Sequence, residues 1–412
     1  MHIKYTLKTA LTSLKANKSR TGLTILGIVI GVMAIILVVS VGQGAEEMIL
    51  NQVQAFGATN ISVEPGREPS GPSDFGELFS DSVGKKDLEA LKNPNNVQGV
   101  KRVVPVVMQN ETASYGGETY RASIIGSEKN LAEVLDIHPT EGVLFGDSDV
   151  KGKSSVAVIG SDVKDELFGY SEALGEKIKI KGRPFRIIGV MSSTGQMSFF
   201  NVDKMIMVPY TTAQQYLFGI NHFHSLIVQA ESEDLVPRIE KEITLTLREL
   251  HDIEDPSKDD FRVETQADAA ERVSSITGIL TALLVSVAAV ALVVGGVGIM
   301  NIMLVSVTER TREIGLRKAL GATKDDILKQ FLLESVILTG VGGIIGIIVG
   351  ALLSFVAAIG LSQVLAMDWG FVFSVPAALV GISVSVLVGL VFGIYPAKEA
   401  AKKSPIEALR YE

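Results

Sequence analysis

Four long stretches of the chain carry no Asp, Glu, Lys or Arg: residues 21–45, 273–308, 335–367 and 369–397. Each exceeds the roughly 20 residues that an α-helix needs to cross a hydrocarbon core of about 30 Å. The pattern predicts four membrane-spanning helices, the first over 21–45 and the others over about 276–305, 335–361 and 373–396. Between spans 1 and 2 lies a polar-patterned region of about 230 residues, long enough to bury a core of its own. The fold class expected is therefore an α-helical membrane protein of four spans, with a large mixed α/β domain over 46–272 inserted between helices 1 and 2.

The inserted region alternates helical and strand-like periodicity. Residues 46–56 read as a helix that continues span 1 outward as a stalk. Strands are predicted at 60–63, 99–108, 118–125, 151–160, 176–181, 184–191, 225–229 and 261–264, with turns at Gly116-Gly117 and Lys181-Gly182. Helices are predicted at 85–91, 161–168 and 233–250, and residues 266–274 lead helically into span 2. The Pro, Ser and Gly of 66–76 mark a loop. Both ends of the region thus enter the membrane through helices, and movement of spans 1 and 2 would reach it directly.

Within the spans, small residues recur every fourth position. Span 1 has Gly27 and Gly31, span 3 has Gly342, Gly346 and Gly350, and span 4 has Gly381, Ser385, Gly389 and Gly393. Such stripes let helix backbones approach closely. The absence of ionisable residues from the spans argues against ion-coupled transport, whose pathways need them. At the N-terminus, Ile3, Leu7, Leu11 and Leu14 share one helical face and Lys4, Lys8 and Lys15 another. Residues 1–20 are expected to lie in the headgroup plane as an amphipathic helix.

Charge orients the chain. Residues 1–20, 308–334 and the tail after Ala397 hold 15 Lys/Arg against 8 Asp/Glu, a net of +7. Residues 45–274 hold 23 against 37, a net of −14, and Asp368 completes the formal −8. Short basic segments stay cytosolic, which predicts cytosolic termini, a cytosolic 308–334 loop and an extracytoplasmic 45–274. Trp369, Phe371 and Phe373 would anchor the outer end of spans 3 and 4 at the interface. With no cysteine in 412 residues, disulfides, thiolate metal sites and Cys nucleophiles are excluded.

The loop between spans 2 and 3 has a readable local structure. Glu309 and Glu313, and Glu313 and Arg317, stand four apart on one helix face. A helix continuing from span 2 is predicted to end near Leu320, with Gly321 as its C-cap. Thr323 with Asp326 resembles a capping box that opens the next helix. The result is an elbow, and its physics alone fits a solvated connector as well as a docking site. Chemistry elsewhere is sparse: the sequence has no Gly-x-x-x-x-Gly-Lys-Ser/Thr phosphate loop and no Gly-x-Ser-x-Gly. His222 and His224 would share a face if they lay on a strand, but no third metal ligand is evident, and no catalytic constellation is expected.

Longer motifs point further. Residues 307–335, VTERTREIGLRKALGATKDDILKQFLLES, resemble the hallmark loop of the MacB/FtsX-type permeases of ATP-binding cassette (ABC) systems. Residues 395–412, YPAKEAAKKSPIEALRYE, resemble the end of the same family. GATNISVEPG at 57–66 is similar to the start of the MacB-like periplasmic core, and LKANKSRTGLTILGIVIGV at 14–32 also fits. The resemblance runs the length of the chain and makes 273–412 an FtsX-like permease domain.

The resemblance implies a non-catalytic subunit of a bacterial inner-membrane ABC transporter. It would form a permease homodimer and pair with an ABC ATPase subunit that binds ATP and Mg. No cofactor is expected in this chain and no nucleic-acid partner. MacB carries its ATPase at the N-terminus, whereas this sequence begins near its first span, so the ATPase is expected on another polypeptide. Glu309, Arg310, Glu313, Gly315, Leu316, Arg317 and Gly321 occupy the positions implied to dock on it. The family mechanism is mechanotransmission, and the function implied is export of peptides, macrolides or similar amphiphiles, with a periplasmic adaptor or membrane-fusion protein as a further partner. The alternatives are an FtsX-like transducer that activates a cell-wall hydrolase and a lipoprotein-releasing permease.

Overall fold

The computed structural model describes residues 18–67, 81–193, 196–197, 200–365 and 369–410. Nearly all of the expected amphipathic helix over 1–20, and most of the loop over 66–76, lie outside them. Along the chain, α1 (Lys18–Ala55) is followed by β1 (Asn60–Pro65), α2 (Lys85–Leu91), β2 (Val100–Tyr115), β3 (Glu118–Ser127), α3 (Asn130–Val134), β4 (Pro139–Gly142) and α4 (Asp147–Gly152). Then come β5 (Val156–Ile159), α5 (Ser161–Phe168), β6 (Lys177–Ile180), β7 (Arg183–Met191), the two-residue strands β8 (Gln196–Met197) and β9 (Phe200–Asn201), β10 (Met205–Pro209), β11 (Ser225–Ala230), α6 (Val236–Leu250) and β12 (Phe261–Thr265). The remainder is helical: α7 (Gln266–Glu309), α8 (Thr311–Ala319), α9 (Lys324–Leu365), α10 (Val375–Lys402) and α11 (Pro405–Arg410). Two compact units result, Met1–Ile49 with Val273–Glu412, and Leu50–Arg272.

In the helical unit, α1, α7, α9 and α10 are long and apolar enough to cross a membrane. They outrun the charge-free stretches. The 44 residues of α7 extend about 66 Å at 1.5 Å per residue. Hydropathy marks what lipid covers, not where intrahelical hydrogen bonding stops. Exposed Ile279, Leu283 and Val287 on α7, and Ile345, Ile348 and Leu352 on α9, form faces that a bilayer would cover. The opposite faces meet through small residues. A Cβ on Gly27 would stand 3.0 Å from the Cα of Gly295, and one on Gly31 would strike Leu292. Gly342, Gly346 and Gly350 of α9 abut Ile28, Val32 and Ile36 of α1, and Gly389 and Gly393 of α10 abut Thr339 and Ser335 of α9.

The second unit is built on a ten-stranded sheet ordered β12-β1-β11-β2-β3-β10-β5-β7-β4, with β6 bridging β2 and β7. The long strand β2 joins its two halves: Val100–Val106 pairs with β11 and Val107–Tyr115 with β3. Side chains alternate between two cores. Val103 and Val107 face one, with Ile124, Ile159, Phe185 and Ile206. Val104 and Val106 face the other, with Ile125, Phe145, Val158 and Met207. Helix α6 covers the first core through Val236, Ile239, Ile243 and Leu247, the i, i+3, i+4 stripe of an amphipathic helix.

Three parts of this unit differ from expectation. The strand expected over 151–160 is only Val156–Ile159, because α4 occupies Asp147–Gly152. The Gly146 amide donates to Asp149 Oδ2 at 3.0 Å and starts that helix. Strand β10 went unread because Met205–Pro209 is buried on both faces and so shows no alternation. The short elements β4 and α3 also had no periodic signal.

One ionic cluster ties three segments of the unit together. His251, at the end of α6, has Nε2 3.0 Å from Asp87 Oδ1 of α2 and Nδ1 2.6 Å from Asp260 Oδ1. Asp87 Oδ2 also accepts the Gly84 amide at the start of α2. Burial opposes charge on the imidazole, but the bonds to Asp260 and Asp87 outweigh it and raise its pKa. A raised folded-state pKa gives stability that is full below the unfolded value of about 6.5 and lost as pH rises through the folded value. The melting temperature of the full chain in detergent is expected to fall as pH rises above about 6.5, and His251→Gln is expected to flatten that decline. Equal pH slopes for the two proteins would contradict the assignment.

Candidate functional site

The elbow between α7 and α9 is a second helix rather than an extension of the first. Continuity breaks at Arg310, with φ −102° and ψ 15°, so the single helix expected to reach Leu320 is corrected to α7 plus α8. Thr308 Oγ1 donates to the Val305 carbonyl at 2.7 Å, and Thr311 Oγ1 donates to those of Val307 and Thr308 at 3.1 and 2.8 Å. Hydroxyls that bond back to carbonyls of the preceding turn bend helices. Helix α8 ends at Gly321, whose φ of +105° is a left-handed conformation that other residues adopt only with strain. Thr323 then opens α9 in a reciprocal cap. Its amide and hydroxyl donate to Asp326 Oδ2 at 3.1 and 2.6 Å, while the Asp326 amide donates to Thr323 Oγ1 at 3.2 Å. These bonds from Thr323 hold the Asp326 pKa below its ordinary value.

Helix α8 has two unlike faces. Its inner face carries Thr311, Ile314 and Gly315, all buried. A Cβ on Gly315 would stand 2.6 Å from the Cβ of Ala408 on α11. Lys318 reaches across to donate to the carbonyls of Ala401 and Lys403 at 2.6 and 2.7 Å, satisfying the end of α10. Burial and the nearby Lys324 lower the Lys318 pKa. Arg310 pairs with Glu334 at 3.3 Å and Glu313 at 3.6 Å, and Glu334 is buried. The outer face carries Arg312, Glu313 and Leu316 and is continued by Leu320 at the C-cap, while Glu309 is exposed at the end of α7. Leu316 is 53% and Leu320 81% exposed, an apolar pair flanked by charge at helical spacing.

The seven elbow residues read from the sequence therefore divide. Glu313 and Leu316 lie on the outer face of α8, Glu309 is exposed at the end of α7, and Gly321 is exposed at the turn. Arg317 is half-buried and bonded to Glu313. Arg310 and Gly315 point inward and fix the helix in place. Sequence reasoning missed Lys318, Glu334 and α11. Signals for two of them existed: Glu334 is the last charge before an apolar run, and Ser404-Pro405 is a helix start with Pro at the first position. His222 and His224 do not lie on a strand, since β11 begins at Ser225. Their rings stand 5.6 Å apart, His222 faces Asp81 at 3.2 Å, and His224 Nδ1 accepts the Met108 amide at 3.1 Å. Burial and then His222 lower the His224 pKa. Among the described residues no group of three His, Asp or Glu is placed to hold a metal.

Comparison with known proteins agrees with this architecture. The model of the MacB-like periplasmic core domain matches residues 21–245, and that of the FtsX-like permease C-terminal region matches 285–405. The ABC transporter permease YknZ of Bacillus subtilis is 36% identical over the whole of both chains. This chain belongs to the MacB/FtsX-type ABC transporter permeases. The macrolide export ATP-binding/permease protein MacB of Bdellovibrio bacteriovorus is 37% identical over 97% of this chain, which spans 60% of that protein's length. The extracellular domain of the noncanonic ABC-type transporter YknZ from Gram-positive bacteria, a solved structure, matches 50% of this chain and 100% of its own at 24% identity and a TM-score of 0.41. The permease is thus a multi-pass cell-membrane protein with an extracytoplasmic α/β domain between spans 1 and 2. Its family implies an ATPase partner.

The Gly315 contact is testable apart from any partner. Gly315→Val overfills the α8–α11 contact, and overpacking destabilises by about 1–3 kcal/mol. Hydrogen exchange of residues 405–410 in the full chain is expected to accelerate several-fold. Unchanged protection there would contradict the packing described.

Proposed function

We propose that this permease is driven through α8 by an ABC ATPase on a separate chain, which binds ATP and Mg. The observation that carries the reading is the exposed Leu316–Leu320 pair on a helix anchored behind by Gly315, Lys318 and Arg310. Contact patches combine an apolar centre with a polar rim, and a rigid mount lets force on them move the whole helix. Glu309, Glu313, Arg317 and Gly321 surround or support the pair. The match with a relative named as an ABC transporter permease supports an ATPase partner. The counts of Lys and Arg support cytosolic termini and a cytosolic elbow.

In this mechanism two permease copies pair, the ATPases close on ATP, and the elbows shift. Helices α1 and α7, each unbroken past the residues where the two units divide, carry the shift to the α/β domain. Substrate is pushed outside the membrane and does not pass between spans. Relatives named for macrolide export support peptides, macrolides or similar amphiphiles as cargo, with a periplasmic adaptor as a further partner. The replacement Leu316→Asp with Leu320→Asp is expected to abolish co-purification of the ATPase while leaving the melting temperature of the permease within a degree or two. Undiminished co-purification would sink the docking role of α8.

A further inference from the structure

A basic hollow of about 610 Å³ opens on the α/β domain, lined by Ser155, Lys177, Arg183, Pro184 and Arg186. Its lining holds three cations and no carboxylate, in a domain whose net charge is strongly negative. Elsewhere in the domain Arg102, Arg238, Arg248 and Arg262 each face a carboxylate. Among the described residues Lys177, Arg183 and Arg186 have no carboxylate within ion-pair distance. Glu176, beside Lys177 in sequence, instead accepts the Tyr115 hydroxyl at 3.1 Å.

The placement of these cations is unfavourable for the sheet alone. Lys177 of β6 and Arg186 of β7 are direct cross-strand partners. Side chains so placed stand about 5 Å apart at Cβ, and like charges there destabilise the pair. Arg183 is meanwhile held in one orientation. Its Nε donates to Ser155 Oγ at 3.3 Å, and its guanidinium lies 3.5 Å from the centroid of the Tyr216 ring. That leaves both terminal nitrogens of Arg183 for another acceptor. A planar guanidinium presents such a fork to a phosphoryl group in bidentate fashion, with Lys as a mobile point charge beside it.

We propose that this hollow binds a phosphoryl group carried on a larger molecule. The group would accept from Arg183 and Arg186, neutralise the Lys177–Arg186 opposition, and leave the rest of the ligand in the remaining volume, which falls in the range of small-molecule sites. The phosphoryl group belongs either to a soluble ligand or to a lipid headgroup, and both present the same oxygens. The proposal is independent of the export reading, because it concerns binding to the α/β domain alone.

The test uses the full chain in phosphatidylcholine nanodiscs. Inorganic phosphate is titrated by calorimetry, and vesicles of phosphatidylglycerol or of phosphatidylcholine alone are tested for co-flotation. Wild type is expected to bind phosphate, and Lys177→Glu to weaken that binding at least tenfold. The same change replaces a like-charge pair with an opposite-charge pair, so its melting temperature is expected to stay level or rise, which separates lost binding from lost folding. Lys241→Glu, an exposed site on α6, is the control and should change neither. Co-flotation with phosphatidylglycerol vesicles that phosphate competes away assigns the group to a headgroup. Phosphate binding without co-flotation assigns it to a soluble ligand. No phosphate binding by wild type, or an equal loss in Lys177→Glu and Lys241→Glu, overturns the proposal.

Discussion

A peptide group inside a bilayer finds no water, so every span must close its own hydrogen bonds as a helix and must associate without the hydrophobic effect that packs soluble cores. The rest of the helical unit follows from that constraint. Charge is absent from the spans, and contact between them relies on close approach at small residues. Gly27 lies against Gly295, and Gly346 and Gly350 lie against Val32 and Ile36. These contacts bind α1 to both α7 and α9. Polar chemistry is left to the elbow and to the α/β domain.

The elbow answers the same constraint at its edge. Arg310 pairs with the buried Glu334 rather than carrying an uncompensated charge into the packing, and Lys318 occupies the carbonyls at the end of α10. Helix α8 is thereby fixed on its inner face while Leu316 and Leu320 stay outside. In the proposed mechanism this asymmetry separates anchoring from reception: one face transmits force and the other takes it up.

Much of this was legible in the sequence where one physical signal dominated. Charge-free length gave the spans. Residues Lys85–Leu91 and Ser161–Phe168 form the helices their periodicity predicted, and Gly321 with Thr323 and Asp326 marked the turn of the elbow. The signal failed where two causes overlapped. Met205–Pro209 is a strand buried on both faces, so alternation is absent. The break at Arg310 depends on competing threonine hydroxyls, which helix propensity does not register. Gly315 and Leu316 are sequence neighbours with similar prior claims, yet one faces Ala408 and the other solvent. Only the packing of α11, formed about 90 residues later, separates them. The Lys177–Arg186 opposition was equally out of reach, since it needs the register of β6 on β7.

In the proposed mechanism, elbow movement reaches the α/β domain through α1 and α7, which are unbroken helices. With no native cysteine, one can be introduced at Lys241 and spin-labelled without background. Pulsed electron spin resonance then measures the distance between labels in the paired permease, with its ATPase either nucleotide-free or trapped with ATP, Mg and vanadate. This mechanism requires the distance distribution to shift on trapping, and the shift to vanish when three glycines inserted after Ser274 interrupt α7. A distribution that ignores trapping, or a shift that survives the insertion, would contradict it.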